Sequence, residues 1–353
     1  MTAPPAVRPS TLRMPGESWL QVWLRRLVSF TLYGVLASLV LGLAPLWAVL
    51  VLLADVLSGD VARLPRARAL ACVALYLACE LAGLAFAGAI WLTTLGGRLV
   101  TAARYEEANA ALQRRWTETL FRGGAALFQM KVRIEGQACA QRAPFLLFVR
   151  HSSTADTLVA AMAVANPFRI LLKYVVKREL LWDPCLDVVG RRLPNVFVER
   201  SGDRGKAEAE AVAALADRLD ERQAVLIYPE GTRFSPSKLE AAVERLTKED
   251  QPALARIAQD YQHVLPPRLG GPLKLMARAP GVDVVFLEQT GFEGAVSLAD
   301  FWRGAFIGRT LELRLRRVAA GDIPETGRDI WLFEQWRETD RWISERIAAR
   351  GGR

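Results

Sequence analysis

The stretch Phe145-Leu146-Leu147-Phe148-Val149-Arg150-His151-Ser152-Ser153-Thr154-Ala155-Asp156 runs from five apolar residues into a polar turn. The apolar run reads as a strand, and Ser152, Ser153 and Thr154 supply capping residues for a helix beginning just beyond it. Similar pieces recur on either side. Residues 131–136, 195–199, 224–228 and 282–287 read as strands, and 154–164 and 206–222 as helices. Such alternation predicts an α/β domain with a mostly parallel sheet flanked by helices. Leu311, Leu313 and Leu315 alternate with Glu312, Arg314 and Arg316, as on a half-exposed edge strand. Residues 330–349 form an amphipathic helix rich in Trp and Arg.

Toward the N-terminus the character changes. Residues 27–54 carry no charge, and 69–97 carry only Glu80. A spanning helix needs about 20 such residues, so both stretches are long enough. Pro45 predicts a kink in the first, and Trp19, Trp23, Trp47 and Trp91 lie where indole rings anchor at headgroups. Glu80 is costly against lipid and is expected to face the other helix or an interface. The competing readings are a buried helical hairpin and a cleaved signal peptide; the first run is too long and starts too late for the latter. Arginines flank both spans and occupy the loop between them, so charge only slightly favours cytoplasmic termini. Residues 105–121 have helical spacing with mixed charge, and the first 16, with four prolines, read as loose.

These segments explain an unusual composition. The 353 residues are 52% hydrophobic yet carry a net charge of +9, with a mean hydropathy of +0.15. That much apolar side chain excludes intrinsic disorder. A chain of this length with four cysteines is not a small disulfide scaffold, and Cys72, Cys79, Cys139 and Cys185 show no metal-ligand pairing and read as small core or lipid-facing residues. No basic stripe interleaved with aromatics and no nucleic-acid fold signature is present, so nucleic acid is not the expected partner.

The chain has two histidines, His151 and His263, which limits the choice of general base near neutral pH. Asp156 follows His151 by five positions. Within one regular helix these side chains would point about 140° apart. They meet if His151 sits on the strand-to-helix turn and Asp156 in the first helical turn. The carboxylate would then hold the imidazole tautomer and stabilise the imidazolium, as in a triad without its serine. A helix cap beside an incidental histidine fits the same residues. The second candidate site follows the strand at 224–228. There Pro229-Glu230-Gly231-Thr232-Arg233 offers exposed backbone N–H groups and a guanidinium fork suited to phosphate. An ordinary Pro-Glu-Gly turn is the plainer alternative. No Walker or dinucleotide fingerprint occurs, and two histidines are too few for the usual catalytic zinc sets, so no metal is expected.

An apolar strand ending in His-x4-Asp, followed by Glu230-Gly231-Thr232-Arg233, resembles the glycerolipid acyltransferases that act on lysophosphatidic acid and related lysophospholipids. The likeness extends to Lys177-Arg178-Glu179-Leu180, Pro184 and Gly190, and to Phe197-Val198-Glu199-Arg200. Tyr228 to Lys238 (YPEGTRFSPSK) and His263 to Gly271 (HVLPPRLGG) look most like the branch with a downstream Pro-Arg segment. Two departures stand out. Arg150 precedes His151 where the family usually has Asn, and residues 283–290 fit the final strand only loosely.

The resemblance implies a membrane-bound enzyme of the 1-acylglycerol-3-phosphate O-acyltransferase type. It would move a fatty acyl group from a thioester to the free hydroxyl of a lysophospholipid, lysophosphatidic acid foremost. His151 would be the general base and Asp156 its orienting partner; Lys177, Arg200 and Arg233 would hold the acceptor phosphate, with Glu230, Gly231 and Thr232 shaping that pocket. No cofactor is implied beyond acyl-CoA or acyl-carrier protein as co-substrate. Membrane lipid and acyl-carrier protein are the implied partners, with the catalytic domain on the cytoplasmic side of an inner membrane or the endoplasmic reticulum. The chain then divides into a loose segment (1–26), two transmembrane helices (27–54 and 69–97), an amphipathic linker helix (99–124), the acyltransferase domain (125–320) and a C-terminal amphipathic helix (321–353). Three alternatives remain open: another lysophospholipid acceptor, a non-catalytic lipid-binding membrane protein, and a lipid hydrolase. The last lacks a Gly-x-Ser-x-Gly elbow.

Overall fold

The computed structural model describes residues 17–153, 156–199, 205–293 and 297–351. The elements run α1 (Trp19–Gly42), α2 (Ala44–Leu57), α3 (Pro65–Thr94), α4 (Ala102–Leu127), β1 (Lys131–Glu135), β2 (Phe145–Val149), α5 (Asp156–Ala160), α6 (Asn166–Phe168), β3 (Leu171–Lys177), α7 (Pro184–Val188) and β4 (Val196–Val198). They continue with α8 (Gly205–Ala214), β5 (Gln223–Ile227), α9 (Pro236–Lys248), α10 (Pro252–Ala258), α11 (Gly270–Arg278), β6 (Asp283–Thr290), α12 (Leu298–Trp302), β7 (Thr310–Val318) and α13 (Arg328–Gly351). The chain forms two compact units. One holds 1–130, 173–202 and 297–308; the other holds 131–172, 203–296 and 309–353. Chain order therefore does not mark the division. Residues 173–202 group with the N-terminal helices, and the C-terminal helix groups with β1, β2, β5, β6 and β7.

In the first unit, α1 begins at Trp19, inside the segment expected to be loose up to residue 26. Its start is fixed by a capping box, in which Ser18 accepts from Gln21 N and Gln21 accepts from Ser18 N. Buried ion pairs reinforce it, because Arg25 and Arg26 both reach Asp187, at 3.0 and 2.6 Å, and Arg191 reaches Glu17 at 3.0 Å. Residues 1–16 lie outside the described residues. The apolar run 27–54 is not one helix. It breaks at Leu43, where Pro45 opens α2 at a position that needs no N–H donor. α1 and α3 are long and apolar enough to cross a membrane; α2, at 14 residues, falls short of the required length. Glu80 faces protein, accepting from Trp116 Nε1 of α4 and Cys185 N of α7, each at 3.1 Å. β3 and β4 pair in parallel. The β3 run Leu-Leu-Lys-Tyr-Val-Val-Lys, mixed in polarity, was not among the expected strands.

The second unit carries the sheet order β1-β7-β6-β2-β5, parallel except for β6 against β7. β2 lies between β6 and β5, and all five of its residues are buried, as a parallel strand covered on both faces requires. The half-exposed alternation at 311–316 does not mark an edge. β7 lies between β1 and β6, and α13 covers its polar face, so β1 is the edge strand. Arg314 pairs there with Glu288 of β6 and Glu338 of α13, and Thr339 Oγ1 donates to Glu288 at 3.1 Å. An alternating strand reads as exposed whenever its polar face is met by ion pairs instead of water.

Candidate active site

Everything at the site follows from where β2 ends. The strand delivers Arg150 and His151 to its carboxyl end, the edge at which open α/β sheets bind ligands. Asp156 opens α5, where the helix N-terminus favours a negative charge. His151 Nδ1 lies 2.8 Å from Asp156 Oδ2. Ser152 and Ser153 also bond to this carboxylate. Ser152 N donates at 2.7 Å, Ser153 N at 3.0 Å and Ser153 Oγ at 2.7 Å. Asp156 is only 1% exposed, so these donors satisfy the oxygens of a buried side chain. With the Asp156 oxygens acting as acceptors, Nδ1 is the donor in this contact and the lone pair is on Nε2. The Tyr228 ring lies 4.7 Å from the imidazole and limits its rotation.

Glu230, expected to shape the phosphate pocket, bonds to backbone at two places. Its Oε1 accepts from His151 N at 2.9 Å and its Oε2 from Leu265 N at 3.0 Å. Buried with both oxygens bonded to backbone, it ties the backbone of His151 to the 262–268 loop. Burial pushes its carboxyl up to about 8, with Arg150 pulling the other way. The unfolded carboxyl ionises near 4.5 and the folded one near 8, so between these values only the folded state holds the proton. Stability from this group is therefore full below 4.5 and lost as pH rises toward 8. Glu230→Gln is expected to remove that slope in thermal unfolding followed against pH. It should also cost about 1–3 kcal/mol, because one buried N–H then faces an amide –NH2.

Gly231 takes a left-handed φ of +66°, and a Cβ there would stand 3.0 Å from Cδ and Nε of Arg268. The turn closes through Gly231 N to Tyr228 O at 2.9 Å, and Arg268 N donates to Pro229 O at 2.8 Å. Thr232 and Arg233 follow on this turn, half-buried. Lys238 Nζ, from the first turn of α9, reaches Arg233 O at 3.0 Å and Thr232 Oγ1 at 3.4 Å. Arg233, Lys238 and Arg268 thus bring three cations to one turn, and among the described residues none is ion-paired. Lys238 and Arg268 were not among the expected site residues, although both lie in quoted segments. Their signal was Ser235 as the cap that starts α9, and the proline pair that directs Arg268 back. Lys177 ends β3 in the other compact unit, and Arg200 lies outside the described residues.

Arg150 is 2% exposed and reaches three segments. Its Nη1 donates to Gln289 O at 2.5 Å and Glu293 Oε1 at 3.0 Å, and its Nη2 to His263 O at 2.8 Å. Gln289 Nε2 in turn donates to Arg150 O at 2.9 Å. Gln289 thus supports the backbone at Arg150, while the guanidinium braces the loop holding His263. Burial holds His263 below the ordinary imidazole range, and its backbone N–H is bound to Asp340 at 2.6 Å.

Residues 131–269 match the family model described as Acyltransferase. Among solved structures, the chain is similar to the crystal structure of the 1-acyl-sn-glycerophosphate (LPA) acyltransferase PlsC from Thermotoga maritima. Identity is 16% and the TM-score 0.50, over 80% of this chain and 98% of that chain. At that identity the likeness is one of fold. No curated protein matches the sequence.

Proposed function

We propose that this chain is a membrane-anchored acyltransferase carrying a fatty acyl group from a thioester to the free hydroxyl of a lysophospholipid, lysophosphatidic acid foremost. The observation that carries this reading is the His151–Asp156 pair, 2.8 Å apart at the carboxyl end of β2. The matched family and the fold support it. His151 Nε2 takes the proton of the acceptor hydroxyl as that oxygen attacks the thioester carbonyl. Asp156 balances the imidazolium. The tetrahedral intermediate then collapses, the C–S bond breaks, and the departing thiolate receives the proton from Nε2. The acceptor oxygen is itself the nucleophile, so no acyl-enzyme is required.

In this reading Arg233 binds the acceptor phosphate, and Thr232 and Gly231 shape the turn that presents it. Acyl-CoA or acyl-carrier protein is the donor and no metal takes part. The apolar helices α1 and α3 keep the site at the bilayer that stores acceptor and product, on the cytoplasmic side of an inner membrane or the endoplasmic reticulum.

The test is full-length protein in detergent with labelled acyl-CoA or acyl-carrier protein and a panel of lysolipids. Free thiol released only with acceptor supports the proposal. Acceptor-independent fatty acid release would make it a hydrolase, and absence of turnover with every pairing would leave a lipid-binding protein. Arg233→Gln is expected to raise KM for a phosphate-bearing acceptor by about 10- to 100-fold, the equivalent of one charge-assisted hydrogen bond. KM for the acyl thioester should stay within about 2-fold, since that bond is made to the acceptor.

A further inference from the structure

We propose that Asp340, on the C-terminal helix α13 and outside the matched family segment, is a positioning residue for His151. The inference rests on the proposed acyltransferase reaction for its kinetic part only. Asp340 is 5% exposed, and its Oδ1 accepts from three successive backbone N–H groups: Gln262 at 3.0 Å, His263 at 2.6 Å and Val264 at 3.1 Å. Consecutive N–H groups converging on one carboxylate oxygen form an anion nest, here occupied by a side chain of the protein itself. The next residue, Leu265, donates to Glu230, whose other oxygen accepts from His151 N. A continuous run of hydrogen bonds therefore leads from α13 to the backbone of the catalytic histidine.

Both ends of this run are held. α13 is anchored by Phe333 O, which accepts from Tyr261 Oη at 2.7 Å, and by the buried Phe333, Trp336 and Ile343. On the loop side, Arg150 grips His263 O, and the buried Pro266 and Pro267 restrict the backbone beyond Leu265. Removing the Asp340 carboxylate strands three N–H groups, frees residues 262–265 and lets Glu230 move with them. The catalytic pair itself stays chemically intact. A small displacement of a reacting group lowers the rate without weakening substrate binding.

The experiment compares full-length wild type with Asp340→Ala, Asp340→Asn and the exposed-site control Arg341→Ala. Steady-state kinetics and peptide-level amide hydrogen exchange are measured on the same preparations. Asp340→Ala is expected to lower kcat about 10- to 100-fold with KM for both substrates within about 3-fold. Exchange should accelerate in residues 262–265 and also in 149–153. Asp340→Asn keeps an amide oxygen for the same donors and should recover most of both losses, and Arg341→Ala should match wild type. Wild-type kcat in folded Asp340→Ala, or faster exchange confined to 262–265, overturns the proposal. If Asp340→Ala does not fold, Asp340→Glu displaces the loop by one methylene and is judged by the same two readouts. A wild type without acyltransferase activity would sink the proposed function, while exchange at 149–153 still decides the positioning role.

Discussion

His151→Ala is expected to lower the acceptor-dependent acyl transfer rate by about 10²–10⁴-fold, the usual worth of a positioned general base. The only other histidine cannot substitute, because its loop is held by Asp340 and Arg150. The loss should fall on kcat, with KM for the lysolipid and the thioester little changed, since the imidazole acts on the reacting proton. The fold should survive. Asp156 keeps Ser152 N, Ser153 N and Ser153 Oγ as donors when the ring is removed. Thermal unfolding of the variant close to wild type, with acceptor-dependent thiol release near background, is the expected pair of results. A folded His151→Ala enzyme with wild-type kcat would remove the histidine from the mechanism.

Asp156→Asn is expected to be nearly as damaging, about 10³–10⁴-fold in kcat, by the tautomer logic of serine-protease triads. An asparagine offers one oxygen where the carboxylate offered two. The ring nitrogen, two backbone N–H groups and a hydroxyl then compete for it. If the –NH2 faces His151, the imidazole must present an acceptor at Nδ1, and Nε2 becomes the protonated nitrogen, unable to take a proton. Unlike His151→Ala, this variant should also lose stability, about 1–3 kcal/mol for each buried donor left without an acceptor. Kinetics and thermal unfolding on the two variants together separate the roles. His151 should affect rate alone, Asp156 rate and stability.

The local parts of this site were legible in the chain. The strand at 145–149 and the polar turn beyond it are encoded within a few residues, as are the turn after 224–228 and the two long apolar helices. What escaped was set by partners distant in sequence. Glu230 reads only as part of its own motif, and its bonds to His151 N, 79 residues away, and to Leu265 N come from the fold. Arg150 reads as a departure until Gln289, Glu293 and His263 surround it. Leu311, Leu313 and Leu315 read as an exposed edge because the ion pairs that meet their polar neighbours come from β6 and α13.

By itself, then, the sequence determined the secondary structure around the site, the His-x4-Asp spacing, the cationic turn and the membrane-compatible helices. Each depends on apolar periodicity or charge density within a short window. Only the tertiary structure decided the interior place of β7 and the assembly of Arg150, Glu230, the 262–265 loop and Asp340 around His151. Buried polar groups must find hydrogen-bond partners, and a chain of this length can supply them from any segment that folding brings near. Spacing in sequence carries no record of which segment that will be.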